Sequence, residues 1–203
     1  MKYDLYMFDF DLTIGNSAAV STMIYERACA SLGYEFDKTK IFYHLGIAVE
    51  TTYEEITGGV AGDDNYKKFL AAFLKAIDDT FTGVELYDDV KSCFERIKAD
   101  GKKVAIVTSR KMSAMNTAFE KYPDVKELID VFITTDFTES KPSPDPMFKC
   151  LAATNVKAEN AVYVGDAKND YLSATAAGVD FIYINREGNV KEKGAITRLK
   201  ELI

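Results

Sequence analysis

Three cysteines and one histidine are the only thiol and imidazole groups in 203 residues. Cys29, Cys93 and Cys150 are odd in number and far apart. They show none of the paired spacings that bind zinc or frame a secreted disulfide scaffold, and so read as buried thiols in a reducing cytoplasm. No run of 18 apolar residues occurs, and the N-terminus carries a lone Lys2 without an apolar core of the signal type. Neither membrane insertion nor export is expected, and the location predicted is cytoplasmic. There is no basic run and no interleaving of basic with aromatic residues, and the formal charge is -7. Nucleic acid is therefore not an expected partner. Internal repeats and low-complexity linkers are also missing. What is present is 47% hydrophobic, enough to bury one good core and a small accessory domain, with a monomer expected.

Short apolar runs bounded by turn residues alternate with longer amphipathic segments, the pattern of a parallel sheet flanked by helices in an α/β fold. Strands are predicted over residues 5–10, 103–107, 131–134, 161–164 and 181–184. Asp145 followed by Pro146 reads as an N-cap with proline at the first helical position, and Gly178 as a C-cap. The first two strands are about ninety residues apart, far beyond the usual 2–6-residue connection, so something is inserted between them. Val20, Ile24, Ala28 and Leu32 recur at helical spacing, as do Phe69, Leu70, Phe73, Leu74, Ile77 and Phe81. The insert is therefore read as a small α-helical cap domain over 16–82, with a Rossmann-like core formed by 1–15 and 83–203. Gly15 and Gly83 stand where two connecting strands would flex, although ordinary turns explain them equally well.

In open parallel sheets, ligands bind beyond the carboxyl ends of the strands. Four of these ends are chemically distinctive. The first gives Asp9 and Asp11, which strand periodicity places on the same side of the extending chain. The second gives Thr108 and Ser109, the third is followed by Lys141 among prolines and serines, and the fourth gives Asp166 and Asp170. Each taken alone has a dull explanation, since aspartates cap helices and a lysine before proline is usually solvated. Gathered in one place, however, the four acids repel: two like charges 4 Å apart cost about 4 kcal/mol at an effective dielectric of 20. A cation resolves this, and Mg²⁺ matches the hard carboxylate oxygens.

With these residues in view, the sequence resembles the haloacid dehalogenase superfamily of phosphatases. "DFDLT" at 9–13 matches the first motif, Thr108 the second, Lys141 the third and "GDAKND" at 165–170 the fourth. The insert between the first and second motifs resembles the helical cap of the subgroup holding phosphoglycolate phosphatases and β-phosphoglucomutases. The resemblance implies a small phosphorylated metabolite as substrate. It implies that Asp9 attacks phosphorus and carries an aspartyl-phosphate, and that Asp11 protonates the leaving alcohol and then activates water. It also implies Mg²⁺ on Asp9, the Asp11 carbonyl and Asp166, with Asp170 completing the metal site or orienting Lys141. Thr108, Ser109 and Lys141 would bind the phosphoryl oxygens.

Leu12 stands where glycine is frequent in the first motif, and Asn16 where related enzymes often carry aspartate. A phosphomutase on the same core usually has valine at the place of Thr13. A non-catalytic phosphate-binding protein would normally have lost one of the acids, and haloacid dehalogenases lack the second aspartate, here Asp11. Two residues have open roles. His44 either contacts a leaving group or is structural, and Arg110 either meets a second anionic group such as a carboxylate or is an exposed residue at a helix start.

Overall fold

The computed structural model describes residues 1–44, 49–80, 84–186 and 194–202. It contains two compact units, Met1–Asn16 with Glu85–Ile203, and Ser17–Val84. The division falls after Asn16 and after Val84, where the sequence reading placed it after residues 15 and 82.

The larger unit is built on a parallel five-stranded sheet. Its strands are β1 (Leu5–Phe8), β4 (Lys103–Val107), β5 (Val131–Ile133), β6 (Ala161–Gly165) and β7 (Asp180–Tyr183), in the order β5-β4-β1-β6-β7. A short antiparallel pair, β2 (Gly15–Asn16) and β3 (Glu85–Leu86), stands apart from it. Helices α5 (Val90–Ala99), α6 (Met112–Phe119), α7 (Pro123–Lys126), α8 (Asp145–Thr154) and α9 (Lys168–Ala176) complete this unit. Every residue of β1 and β6 is buried, which is why these strands read as unbroken apolar runs rather than alternating ones.

Alternation still sorts their side chains. Leu5 and Met7 join Ala105, Val107 and Tyr163 in one cluster with Met147 and Cys150 of α8 and Ala174 of α9. Phe8 turns the other way and meets Phe94 of α5, with ring centroids 5.0 Å apart. Burying a side chain of this size stabilises by about 1.5–3 kcal/mol, so this doubly covered sheet fixes the strand ends firmly.

Several predicted limits move by a residue or two. The first strand stops at Phe8 rather than Phe10, because the chain turns there: the N–H groups of Thr13, Ile14 and Gly15 all donate to the Phe10 carbonyl, at 3.4, 3.0 and 2.7 Å. The last strand is Asp180–Tyr183; Ile184, just past it, donates its N–H to the Gly165 carbonyl at 2.9 Å and makes an isolated bridge to Ile196. The residue at the N-cap of α8 is Pro144, so Asp145 and Pro146 lie inside the first turn. There Asp145 accepts from the Glu139 N–H and pairs with Lys149 instead of capping. Helix α9 ends at Ala176 with Ala177 as its C-cap, and Gly178 follows with φ +71°, the left-handed residue that closes such an end.

The Ser17–Val84 unit is helical, with α1 (Ala18–Ala30), α2 (Ile41–His44), α3 (Val49–Thr57) and α4 (Asp64–Thr80). Its core is aromatic: Tyr25, Phe36, Tyr53, Tyr66 and Phe69 are buried together with Ala28, Cys29 and Ile41. Leu74, expected on the apolar face of α4, is instead 52% exposed, because the buried stripe runs through Phe69, Phe73 and Ala76. Phe81 and Gly83 lie outside the described residues, while Gly15 sits in β2 paired with Leu86. All three cysteines are buried and free, and burial pushes the Cys29 thiol up to about 11 and those of Cys93 and Cys150 to about 12.

Candidate active site

The site grows from the carboxyl end of β1. The Asp9 N–H donates to the Val164 carbonyl at 2.9 Å, so the strand's grip extends one residue past its last ladder pair. The carboxylate is thereby held almost wholly buried, at 6% exposure. The Lys141 ammonium lies 2.6 Å from Asp9 Oδ1, 2.6 Å from Asp170 Oδ1 and 2.9 Å from the Tyr163 hydroxyl. The single Tyr163 proton is shared between the Val107 carbonyl at 2.9 Å and Asp170 Oδ1 at 3.1 Å. Asp170 stands at the third position of α9, and its Oδ2 accepts from the Ala167 N–H at 3.1 Å, which ties the carboxylate back to the helix start. Gly165 makes room for this: a Cβ there would lie 2.6 Å from Asp170 Oδ2 and 2.7 Å from its Cγ.

Ligand oxygens of Asp9, Asp166 and Asp170 lie within 4.8 Å of one another. Burial, reinforced by Asp170 and Asp11 against the opposing pull of Lys141, pushes the Asp9 carboxyl up to about 7. Asp166 is raised well above the usual carboxylate range, first by burial and then by the charges of Asp9 and Asp170. For Lys141, burial favours the neutral amine, but Asp9 and Asp170 outweigh it and the net shift is upward. Lys141 is thus a fixed cation. Four carboxylates, Asp9, Asp11, Asp166 and Asp170, face two cations, Lys141 and Arg110, which leaves a formal charge of -2 at the strand ends. A divalent cation would balance that charge, and an all-oxygen donor set suits Mg²⁺.

Asp11 follows Asp9 into the turn and acts electrostatically on both Asp9 and Asp166. Its carboxylate is gripped by Arg110, with Nε 2.7 Å from Oδ2 and Nη2 2.6 Å from Oδ1. Leu12, next in the turn, has φ +53°, a left-handed conformation that suits glycine and costs an L-residue about 1–2 kcal/mol. Thr13 is fully buried, with its hydroxyl 3.5 Å from Asp166 Oδ1.

At the end of the adjacent strand β4, Thr108 is buried and its hydroxyl accepts from the Arg110 N–H at 3.2 Å. Ser109 is exposed, and its carbonyl accepts from the Thr135 hydroxyl at 3.3 Å. Asp136 pins the start of α6 by accepting from the Met112 N–H at 2.6 Å.

The structure therefore gathers Asp9, Lys141, Asp166 and Asp170 around one point and sets Asp11 beside them on Arg110. Thr108 and Ser109 occupy the neighbouring strand end. His44 belongs to the Ser17–Val84 unit, where it is buried. It is 4% exposed, 3.6 Å from Glu55 Oε2 and packed near the Tyr25 and Phe36 rings.

Sequence reasoning missed two residues. Tyr163 reads as one more apolar strand position, although a buried tyrosine must find a partner for its hydroxyl, and that requirement was the available signal. Arg186, 3% exposed, forks onto Asp89 at 2.9 and 2.8 Å and donates to the Thr13 carbonyl from Nε at 3.0 Å and Nη2 at 2.6 Å. It braces the loop that carries Asp9 and Asp11, and nothing in its local sequence marks it.

The chain is similar to several known proteins. A provisionally assigned pyrophosphatase PpaX of Caldanaerobacter subterraneus is 28% identical over 185 residues, covering 88% of this chain and 80% of the relative. A phosphoglycolate phosphatase of Colwellia psychrerythraea is 29% identical over 189 residues, covering 88% and 83%. The crystal structure of a provisionally assigned phosphoglycolate phosphatase from Lactobacillus plantarum superposes with a TM-score of 0.82 at 26% identity, covering 100% of this chain and 98% of that one. The model of the haloacid dehalogenase-like hydrolases matches residues 6–184, nearly the whole chain, and this protein belongs to that family.

Proposed function

We propose that this protein is a Mg²⁺-dependent phosphatase acting on a small phosphate monoester through an aspartyl-phosphate on Asp9. The observation that carries the reading is the buried Asp9 carboxylate, held by Lys141 at the end of the central strand beside Asp166. A carboxylate nucleophile needs no base to activate it once ionised, and Lys141 favours the ionised form. With Oδ1 held by Lys141, Oδ2 attacks phosphorus. The bond from phosphorus to the leaving oxygen breaks, its electron pair stays on that oxygen, and Asp11 supplies the proton. Water then attacks the aspartyl-phosphate, Asp11 takes back a proton, and the bond from phosphorus to Oδ2 breaks to release inorganic phosphate and restore Asp9. Dividing one hard displacement into two easier ones is the general gain of covalent catalysis.

Asp9, the Asp11 carbonyl and Asp166 would hold Mg²⁺, which when bound offsets the negative charge of the phosphoryl group. Asp170 has both oxygens committed, one to Lys141 and one to the Ala167 N–H, so its role is to orient the lysine. Thr108 and Ser109 at the end of β4 and the Lys141 ammonium bind the phosphoryl oxygens. The Ser17–Val84 unit serves as the cap that decides which leaving group is accepted. Relatives named phosphoglycolate phosphatase and pyrophosphatase support a small phosphorylated substrate.

Hydrolysis of p-nitrophenyl phosphate with and without Mg²⁺, by the protein and its Asp9→Asn variant, tests the reading. Activity is expected only with the metal and only with Asp9. Single-turnover release of inorganic phosphate without a sugar phosphate acceptor distinguishes it from a mutase. Full hydrolysis by Asp9→Asn would overturn it.

A further inference from the structure

We propose that Tyr163 is a positioning residue: its hydroxyl fixes the Lys141 ammonium and ties it to the strand end that carries Thr108, so that two phosphoryl-binding groups keep their spacing. The inference rests on the phosphatase reading and adds to it a residue outside the reacting groups. Its basis is a count of donors. A lysine ammonium has three N–H groups and no acceptor. Three acceptors lie within hydrogen-bond distance of Lys141 Nζ: Asp9 Oδ1 at 2.6 Å, Asp170 Oδ1 at 2.6 Å and the Tyr163 hydroxyl at 2.9 Å. Asp9 is the reacting carboxylate, so the N–H that faces it is the one an arriving phosphoryl oxygen shares. Asp170 and Tyr163 are left to hold the ammonium to the scaffold. Two anchors fix its direction, where a single one would let it swing.

Two facts separate this tyrosine from a residue that only fills space. First, it reaches across the sheet. Tyr163 lies on β6 in register with Met7 of β1, and β1 separates β6 from β4, yet the hydroxyl donates to the Val107 carbonyl of β4 at 2.9 Å. A phenyl ring would fill the same place in the cluster with Leu5, Met7, Ala105 and Val107, but would lose that bond. Val107 is the last residue of β4 and Thr108 follows it, so two hydrogen bonds in series, Lys141 to Tyr163 and Tyr163 to Val107, link the lysine to the threonine's strand end. Second, the hydroxyl closes a triangle. It lies 3.1 Å from Asp170 Oδ1, the same oxygen that accepts from Lys141, so hydroxyl, ammonium and carboxylate fix one another. The phenol thereby adds an acceptor without adding a charge. Its ring is held in turn, fully buried and with its centroid 6.1 Å from that of Phe181.

Tyr163→Phe tests this, since it removes one oxygen, keeps the ring and changes no charge. With p-nitrophenyl phosphate and Mg²⁺, well below the melting temperature, kcat is expected to fall about 10-fold while KM stays within about 2-fold. Tyr6→Phe is the control. It deletes the hydroxyl of another buried tyrosine, one near the start of β1 that accepts from the Tyr3 N–H at 3.3 Å, and it should leave kcat unchanged. A purely structural hydroxyl at position 163 would behave in the same way. An unchanged kcat in Tyr163→Phe, a change in KM alone, or an equal loss of kcat in Tyr6→Phe overturns the proposal and leaves the phosphatase reading standing. If Tyr163→Phe does not fold, 3-fluorotyrosine placed at position 163 decides: its hydroxyl is a weaker acceptor for Lys141, kcat should fall by about 2-fold, and an unchanged kcat refutes the role. Should the parent protein hydrolyse neither p-nitrophenyl phosphate nor any other monoester, the phosphatase reading falls and this proposal with it.

Discussion

Replacing Asp9 by asparagine should abolish turnover and at the same time stabilise the metal-free protein, by an amount that grows with pH. Burial and the neighbouring acids raise the Asp9 carboxyl from 3.8 to about 7. A carboxyl whose folded-state value lies above its unfolded one binds more protons in the folded state between those limits. Its stabilising contribution is therefore present at acid pH and lost as pH climbs from about 4 to about 7. Each unit is worth about 1.4 kcal/mol, so between pH 5.5 and pH 8 the parent protein should lose roughly 2 kcal/mol through this group alone. Asparagine cannot ionise and removes that slope. It also takes away one of the charges that raise Asp166, an effect of the same sign.

For a chain of this size, the gain in Tm of Asp9→Asn over the parent should be roughly 4–8 °C larger at pH 8 than at pH 5.5. Thermal melts in EDTA at the two pH values measure it. Mg²⁺ supplies the opposite control: it competes with protons for the same oxygens, so it should stabilise the parent protein more at pH 8 than at pH 5.5, and Asp9→Asn less at either. If the two proteins show the same pH slope in EDTA, Asp9 is not the strained carboxylate described above.

Three further substitutions probe the supports. Lys141→Ala leaves Asp9 and Asp170 buried without their shared cation and should cost about 3–5 kcal/mol at pH 8, against the near-zero change of an exposed lysine; a Tm shift under about 3 °C would contradict this. Arg186→Ala strips Asp89 and the Thr13 carbonyl of their fork and should cost a similar 3–5 kcal/mol in denaturant melts, while lowering kcat through the loosened Asp9–Thr13 loop. Gly165→Ala drives a Cβ to within 2.6 Å of Asp170 Oδ2, so kcat should drop by about 10²-fold as Lys141 loses its orienter, and a fully active variant would show that Asp170 can move at no cost.

The sheet was legible because doubly buried strands such as β1 and β6 leave apolar runs with sharp polar ends, and those ends are where the acids and Lys141 emerge. The periodicity of α1 and α4 was legible for a related reason, since an aromatic helical core needs one face of each helix. The failures came where tertiary contacts override local pattern. The first strand ends at Phe8 rather than Phe10 because the chain turns there, and the Phe10 carbonyl collects three N–H groups. No local rule says that Asp11 will turn to an arginine 99 positions away in the chain. The cap of α8 slipped by one residue because the Asp145 carboxylate does more as partner to Glu139 and Lys149 than as a cap.

The departures from the familiar first motif are informative in their turn. Leu12 occupies a backbone conformation with φ +53°, which explains physically why glycine suits that place, and the strain it carries is held in check by the hydrogen bonds of the turn and by the Arg186 fork on Thr13. That links Leu12 to Arg186, two residues that the sequence does not connect. A loop that must hold a strained leucine, a buried nucleophile and an aspartate paired to arginine needs a brace from outside itself. Arg186, buried against Asp89 and 4.1 Å from the centroid of the Tyr87 ring, supplies that brace from the chain just past β7. The acids define the chemistry, but their placement depends on Lys141, which a strand end reveals, and on Arg186, which none does.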